Sequence, residues 1–219
     1  YYHRIAGGVE QAWTDPYILS AYERGIRRGR SELIKAGQDV PAIDNEEALA
    51  ALLLAPHHMD SVGVAFNQAF EQQKRIVTTM ETQVSQVLAQ GLLDEDSSET
   101  LSRKIVAVIT GVGAAALGIN RILGKFTPAL ARSELLARTE VVRAHHMANM
   151  AEYKFWRIED LIVIAEFTTA GDERVCTICA GLHGNRYSLE EAEHMIPVHP
   201  ACRCIAIPVE VRRITREGM

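Results

Sequence analysis

Apolar positions recur at helical spacing through most of the first two thirds of the chain. The stretch DPYILSAYERGIRRGRSELIKAG predicts a helix with Asp15 as N-cap, Pro16 at its first position and its end at Gly37. Arg24, Arg27 and Arg28 share one face of it, read as a solvated face beside Glu23 and Glu32; contact with an acidic partner is the alternative. QDVPAIDN reads as a loop, NEEALAALLL as a short helix, and Pro56 as its end. A long helix is predicted from roughly Asp60 to Gln90. In it Phe66, Phe70, Gln73, Val77, Met80, Val84 and Val87 form a heptad-like seam that suits a helical hairpin or bundle.

After QGLLDEDSSE, Ser97 or Ser98 is expected to cap a further helix carrying the Gly/Ala-rich run IVAVITGVGAAALGIN. That run lacks the Lys-Ser/Thr of a phosphate loop, so Gly111, Gly113 and Gly118 read as close-packing or hinge positions. The next helix is predicted over FTPALARSELLARTEVVRAHHMANMAEYKFWRI, capped by Thr127 with Pro128 at N1. Ala137, Val141, Ala144, Ala148, Ala151 and Phe155 give it a face of mostly small residues. His145 and His146 are adjacent, point to different sides, and read as surface or rim histidines. Beyond Trp156 the period changes. LIVIAEFTT predicts a strand, AGDERVC a turn, GNRYSL a short strand, SLEEAEHM a short helix capped by Ser188, and CRCIAIPVEV a closing strand. The expected class is α+β: a mostly helical region over 1–136 and a small α+β domain over 137–219.

Composition fits this picture. The chain is 219 residues long, 47% hydrophobic, 23% charged and only 6% aromatic, which suits packed helices and is enough to bury a core without cross-links. A formal net charge of -5 argues against the whole chain being a nucleic-acid binder. The basic run VRRITR near the end leaves local DNA contact open. No signal-peptide pattern stands at the start, and the longest uncharged run is shorter than the ~20 residues of a membrane span, so no membrane role is expected.

The chemistry is concentrated near the C-terminus. All four cysteines, Cys176, Cys179, Cys202 and Cys204, lie there, with His199 just before the second pair. Cys-x-x-Cys forms a knuckle that presents two sulfurs to one ion, and His199-x-x-Cys202-x-Cys204 supplies the rest. Zinc takes four tetrahedral Cys/His ligands, and five candidates are present. Cys176, Cys179 and Cys202 rank first, then His199, then Cys204. On an extended strand Cys202 and Cys204 would face the same way. Two disulfides, a redox pair, a cysteine nucleophile and four plain buried thiols are the competing readings. A zinc deaminase needs His-x-Glu ahead of its cysteines, and neither His183 nor His199 is followed by one.

LARTEVVRAHHMAN, TTAGDERVCTICAGLHGNRY and PVHPACRCIAIPV, in this order, resemble the Mu F-like minor head proteins of tailed bacteriophages, the head morphogenesis family. The matching elements are Ala137 to Glu140, Asp172 to Cys176, Cys179, Leu182 to Gly184, His199-Pro200 and Cys202 to Cys204. The chain departs from the usual pattern at Thr177-Ile178, where the knuckle often holds a proline, and at His145, where asparagine is more usual. The resemblance implies a structural virion protein without catalytic residues. It would reside in the phage head, and in the host cytoplasm during assembly. Its expected partners are the portal and other head proteins and packaged DNA, with no small-molecule substrate. Structural zinc is the expected cofactor. On the matched residues, Asp172 is expected to cap the turn into the knuckle. Arg174 and Arg203 would flank the thiols or bind Glu140, Arg138 and Glu140 would form an ion-pair network, and Gly184 would supply a positive φ. A zinc-stabilised nucleic-acid or protein-binding adaptor, and an enzyme using the thiols, are the other classes.

Overall fold

The computed structural model of the protein describes residues 2–4, 10–12, 14–156 and 161–213. Strands β1 (Tyr2–Arg4) and β2 (Glu10–Ala12) form an antiparallel pair. Helices α1 (Asp15–Lys35), α2 (Glu46–Leu53), α3 (Pro56–Leu93), α4 (Ser98–Thr110), α5 (Ile119–Leu123) and α6 (Ala129–Phe155) follow. The C-terminal part alternates β3 (Leu161–Thr168), α7 (Thr177–Leu182), β4 (Arg186–Ser188), α8 (Leu189–Glu193) and β5 (Ile205–Arg213). Its sheet is antiparallel in the order β4-β3-β5. The class is α+β, mostly helical with a small C-terminal sheet, as the sequence pattern predicts. Among the described residues no single helix is long and apolar enough to cross a membrane.

Two compact units make up the chain: Tyr1–Asn67 with Arg138–Met219, and Gln68–Ala137. In the second, Val87, Ala107, Val108, Ala114 and Ile119 form a core of their own. Ser97 caps α4 by accepting the Thr100 N–H. The Gly/Ala-rich run is not one helix. α4 stops at Gly111, which is left-handed (φ 82°), and Gly113 and Gly118 continue the turn with φ of 71° and 68°. A glycine reaches this region without the Cβ clash that other residues meet, so three in eight positions end the helix that the alanines favour.

The first unit places α1 against α6. A Cβ on Gly25 would lie 2.5 Å from the His145 carbonyl oxygen and 2.6 Å from Ala148 Cβ, so the two backbones meet there. This contact buries Ala144 and Ala148 on the small-residue face of α6. Close by, Glu152 is fully buried and accepts from Arg30 Nε (3.0 Å), Trp156 Nε1 (2.9 Å) and His58 Nε2 (2.9 Å). His58 Nδ1 in turn accepts from the Tyr22 hydroxyl at 3.0 Å. A buried carboxylate is tolerated when several donors replace its lost water, and these residues supply them.

Leu33 of α1, Met150 and Tyr153 of α6, Ala165 and Phe167 of β3, and Leu189 and Ala192 of α8 form one core with Cys179, Cys202 and Cys204. Along β3 and β5 the register runs from Leu161↔Arg213 to Thr168↔Ile205, with a shift at Ile164/Ala165. The bulge falls beside Pro208, a residue that cannot donate to a ladder. Ser188 and Glu191 form a capping box on α8. Of the basic run at the end, Val211, Arg212 and Arg213 lie in β5; residues 214–216 lie outside the described residues.

Three expectations are corrected. The first N-cap is Thr14, with Asp15 inside the helix. His146 is not a rim residue: it is 2% exposed, and its Nε2 donates to the Ala192 carbonyl at 2.9 Å. Its burial is set by α8, whose position the local period does not encode. Finally, β5 begins after Cys204, so Cys202 and Cys204 meet through the turn that precedes the strand, not through strand alternation.

Candidate metal centre

The thiols are presented by three local devices. Cys176 is the N-cap of α7, extended at ψ 161°, and its sulfur accepts the Cys179 N–H at 3.4 Å. One helical turn then brings Cys179 to the same side, into the core. The segment from His199 to Cys204 supplies the other half. Its turn carries the Cys202 N–H to the His199 carbonyl at 3.1 Å and puts Ala201 at φ 57°.

His199 Nε2 lies 3.2 Å from Cys176 Sγ and 3.2 Å from Cys179 Sγ. Those three donor atoms lie within 4.8 Å of one another, and so do the sulfurs of Cys179, Cys202 and Cys204. All five residues singled out in the sequence are therefore brought together around Cys179. Zn–S bonds of about 2.3 Å and Zn–N bonds of about 2.0–2.1 Å separate tetrahedral donors by about 3.5 Å. The His199 contacts are close to that spacing. These Cys/His groups could hold a metal ion.

Burial disfavours the thiolate form of the inner sulfurs. Burial pushes the Cys179 thiol up and the Cys204 thiol up to about 11. The Cys176 thiol is held down, first by the backbone N–H of Cys179. A bound ion would offset the desolvation of the inner sulfurs, since coordination deprotonates a thiol outright. The His199 tautomer is also set for ligation. Its Nδ1 donates to the Pro200 carbonyl at 2.9 Å, which leaves Nε2 free to face the sulfurs.

The flanking charges pair differently from the sequence expectation. Arg203 forms a two-pronged bond to Asp172, Nη1 to Oδ2 at 2.6 Å and Nη2 to Oδ1 at 2.5 Å. Arg174 adds a weaker contact to the same carboxylate at 3.4 Å. Neither arginine reaches Glu140, which pairs with Arg143 at 3.0 Å, so Arg143 takes the place expected for Arg138. The reason is reach: Glu140 is buried on α6, one helical turn from Arg143, whereas Asp172 stands at the entry to the knuckle. Asp172 does cap that turn, accepting the Arg174 N–H at 3.1 Å. The Arg203 guanidinium holds its carboxyl well below the usual carboxylate range. Gly184 has the expected positive φ, 80°.

Residues 78–207, more than half of the chain, match the family described as phage Mu protein F like protein. The chain belongs to this family. The match contains every residue of the Cys/His cluster, and it begins inside α3, well ahead of the motifs that carry the resemblance in the sequence. Helices α4 to α8 and strands β3 and β4 thus fall within the matched residues, together with the first three residues of β5. Membership of the Mu F-like family points to phage head morphogenesis. No curated protein and no solved structure matches the chain.

Thr139 is the residue whose role the sequence does not reveal. Its hydroxyl accepts the Ala201 N–H at 2.9 Å across 62 positions of chain. The ARTE motif flags it only as part of a pattern.

Proposed function

We propose that the chain is an accessory minor head protein of a tailed phage that associates with the portal and assists head assembly or the passage of DNA. The family match over residues 78–207 carries this reading. On this reading the protein resides in the virion, with other head proteins as partners, and in the host cytoplasm while heads form. In this reading residues 137–219 are the head-morphogenesis-like domain and residues 1–136 the helical region, of which α1 and the start of α3 pack with that domain.

Zinc is the structural cofactor of the proposal. Cys176, Cys179, Cys202 and His199 are its ligands, with Cys204 as the fifth donor beside them. Four protein donors fill a tetrahedral ion and leave no position for substrate, which supports a structural part and not a catalytic one. The ion would link α7 to the 199–204 turn, joining two segments that share little regular structure.

Co-expression with the portal protein tests the proposal. The chain is expected to co-purify with portal rings and to be present in purified heads at few copies. A chain that holds zinc yet is absent from heads and ignores portal rings would instead be the protein- or nucleic-acid-binding adaptor. Steep loss of DNA binding with salt would mark the nucleic-acid form of that adaptor.

A further inference from the structure

We infer that Thr139 is a positioning residue for His199, acting through a single peptide unit, and that it decides whether His199 or Cys204 completes the metal shell. The inference rests on the metal reading given above. The Pro200–Ala201 peptide is bonded at both ends. Its carbonyl accepts from His199 Nδ1 at 2.9 Å, and its N–H donates to Thr139 Oγ1 at 2.9 Å. A trans peptide is planar and stiff, so fixing the N–H fixes the direction of the carbonyl. The carbonyl then fixes the proton on Nδ1 and the plane of the imidazole, and Nε2 is left facing Cys176 and Cys179 at 3.2 Å.

Two further observations show that this arrangement is built. Ala201 holds φ 57°, a left-handed conformation that crowds the Cβ of a non-glycine residue and that the Thr139 bond helps to maintain. Thr139 itself is buried, 9% exposed, on the rigid helix α6. His199 is only partly buried, and the Pro200 carbonyl is the partner of its Nδ1, so the peptide beside it sets the ring's orientation. Without the tether the peptide can turn, Nδ1 loses its acceptor, and Cys204, already within reach of Cys179 and Cys202, is the donor left to fill the place.

The test is a set of variants read by metal affinity and by the spectrum of bound cobalt(II), used as a probe of sulfur and nitrogen ligation. Wild type is expected to bind one ion with a three-sulfur, one-nitrogen signature. Thr139→Val is expected to bind about tenfold to a hundredfold more weakly, the range seen when an outer partner of a ligand is lost, and to shift toward an all-sulfur signature. Thr139→Ser, which keeps the hydroxyl, is expected to restore both. In the His199→Ala background, Thr139→Val is expected to cost nothing further, because both changes remove one interaction. Equal loss in the two backgrounds, or an unchanged cobalt spectrum in Thr139→Val, overturns the inference. Should Thr139→Val not fold, Thr139→Ala carries the same comparison. A wild-type chain that binds neither zinc nor cobalt would overturn the metal reading itself, an outcome separate from these.

Discussion

His146 shows what a single buried ring does to the whole chain's response to acid. Its Nε2 donates to the Ala192 carbonyl, and its Nδ1 is buried with no partner. A second proton on that nitrogen would find no acceptor, so burial pushes its pKa from 6.5 down to about 4. Burial likewise pushes His145 down to about 4, with Arg28 adding to the effect. The unfolded chain therefore binds protons that the folded chain refuses, and stability falls as pH drops from about 6.5 to about 4. At ~1.4 kcal/mol per pH unit, His146 accounts for up to about 3 kcal/mol of that fall. His146→Gln keeps a donor for Ala192 and removes the titration. Melting temperature followed from pH 7 to pH 4 is expected to decline less steeply in this variant; parallel curves would show that the ring is not strained by protonation.

At the scale of elements, the contact of α1 with α6 is set by Gly25 and Gly29. A methyl at Gly25 meets the His145 carbonyl at 2.5 Å, backbone that cannot move alone, whereas at Gly29 the nearest atom is Glu152 Cβ at 3.1 Å. Gly25→Ala is expected to destabilise the fold by about 2 kcal/mol, as overpacking does, and Gly29→Ala by less. Gly63 on α3 has nothing within 4 Å, so Gly63→Ala is expected to raise stability by about 0.5–1 kcal/mol through helix propensity. Thermal or urea denaturation of the three variants checks the order. This close packing was partly legible in the sequence, since Ala144 and Ala148 mark a small-residue face. Local signals read well for the same reason: the caps at Ser97 and Ser188, and the strand from Leu161, depend on residues a few positions apart. Readings failed where distant chain decides. Nothing near Arg203 shows that Asp172 will be its partner, and nothing near His146 shows that α8 will cover it. The stop at Gly111 was hidden by the alanines after it, whose helix propensity is overridden by three left-handed glycines.

At the scale of the whole molecule, the two units differ in what holds them. The unit of Gln68–Ala137 has its own core and none of the thiols, whereas Cys179, Cys202 and Cys204 lie in the core of the other. Removing the proposed ion with a chelator, or changing Cys176 to Ser, is expected to lower the melting temperature and to speed amide exchange in α7 and β5. Amides of α4 are expected to keep their protection; loss of protection there as well would mean that the ion supports the whole chain as one cooperative block. The layout of the first unit also has a consequence in time. It draws on residues at both ends of its sequence, so α1 leaves the ribosome long before α6 and the clamp exist. Gly25 and Gly29 must wait, exposed, through the synthesis of the intervening helices, which can collapse on their own core in the meantime. Closure of the first unit is then a late, long-range step that follows the emergence of Cys204, and nascent chains stalled before that point should be the ones that chaperones hold and proteases cut.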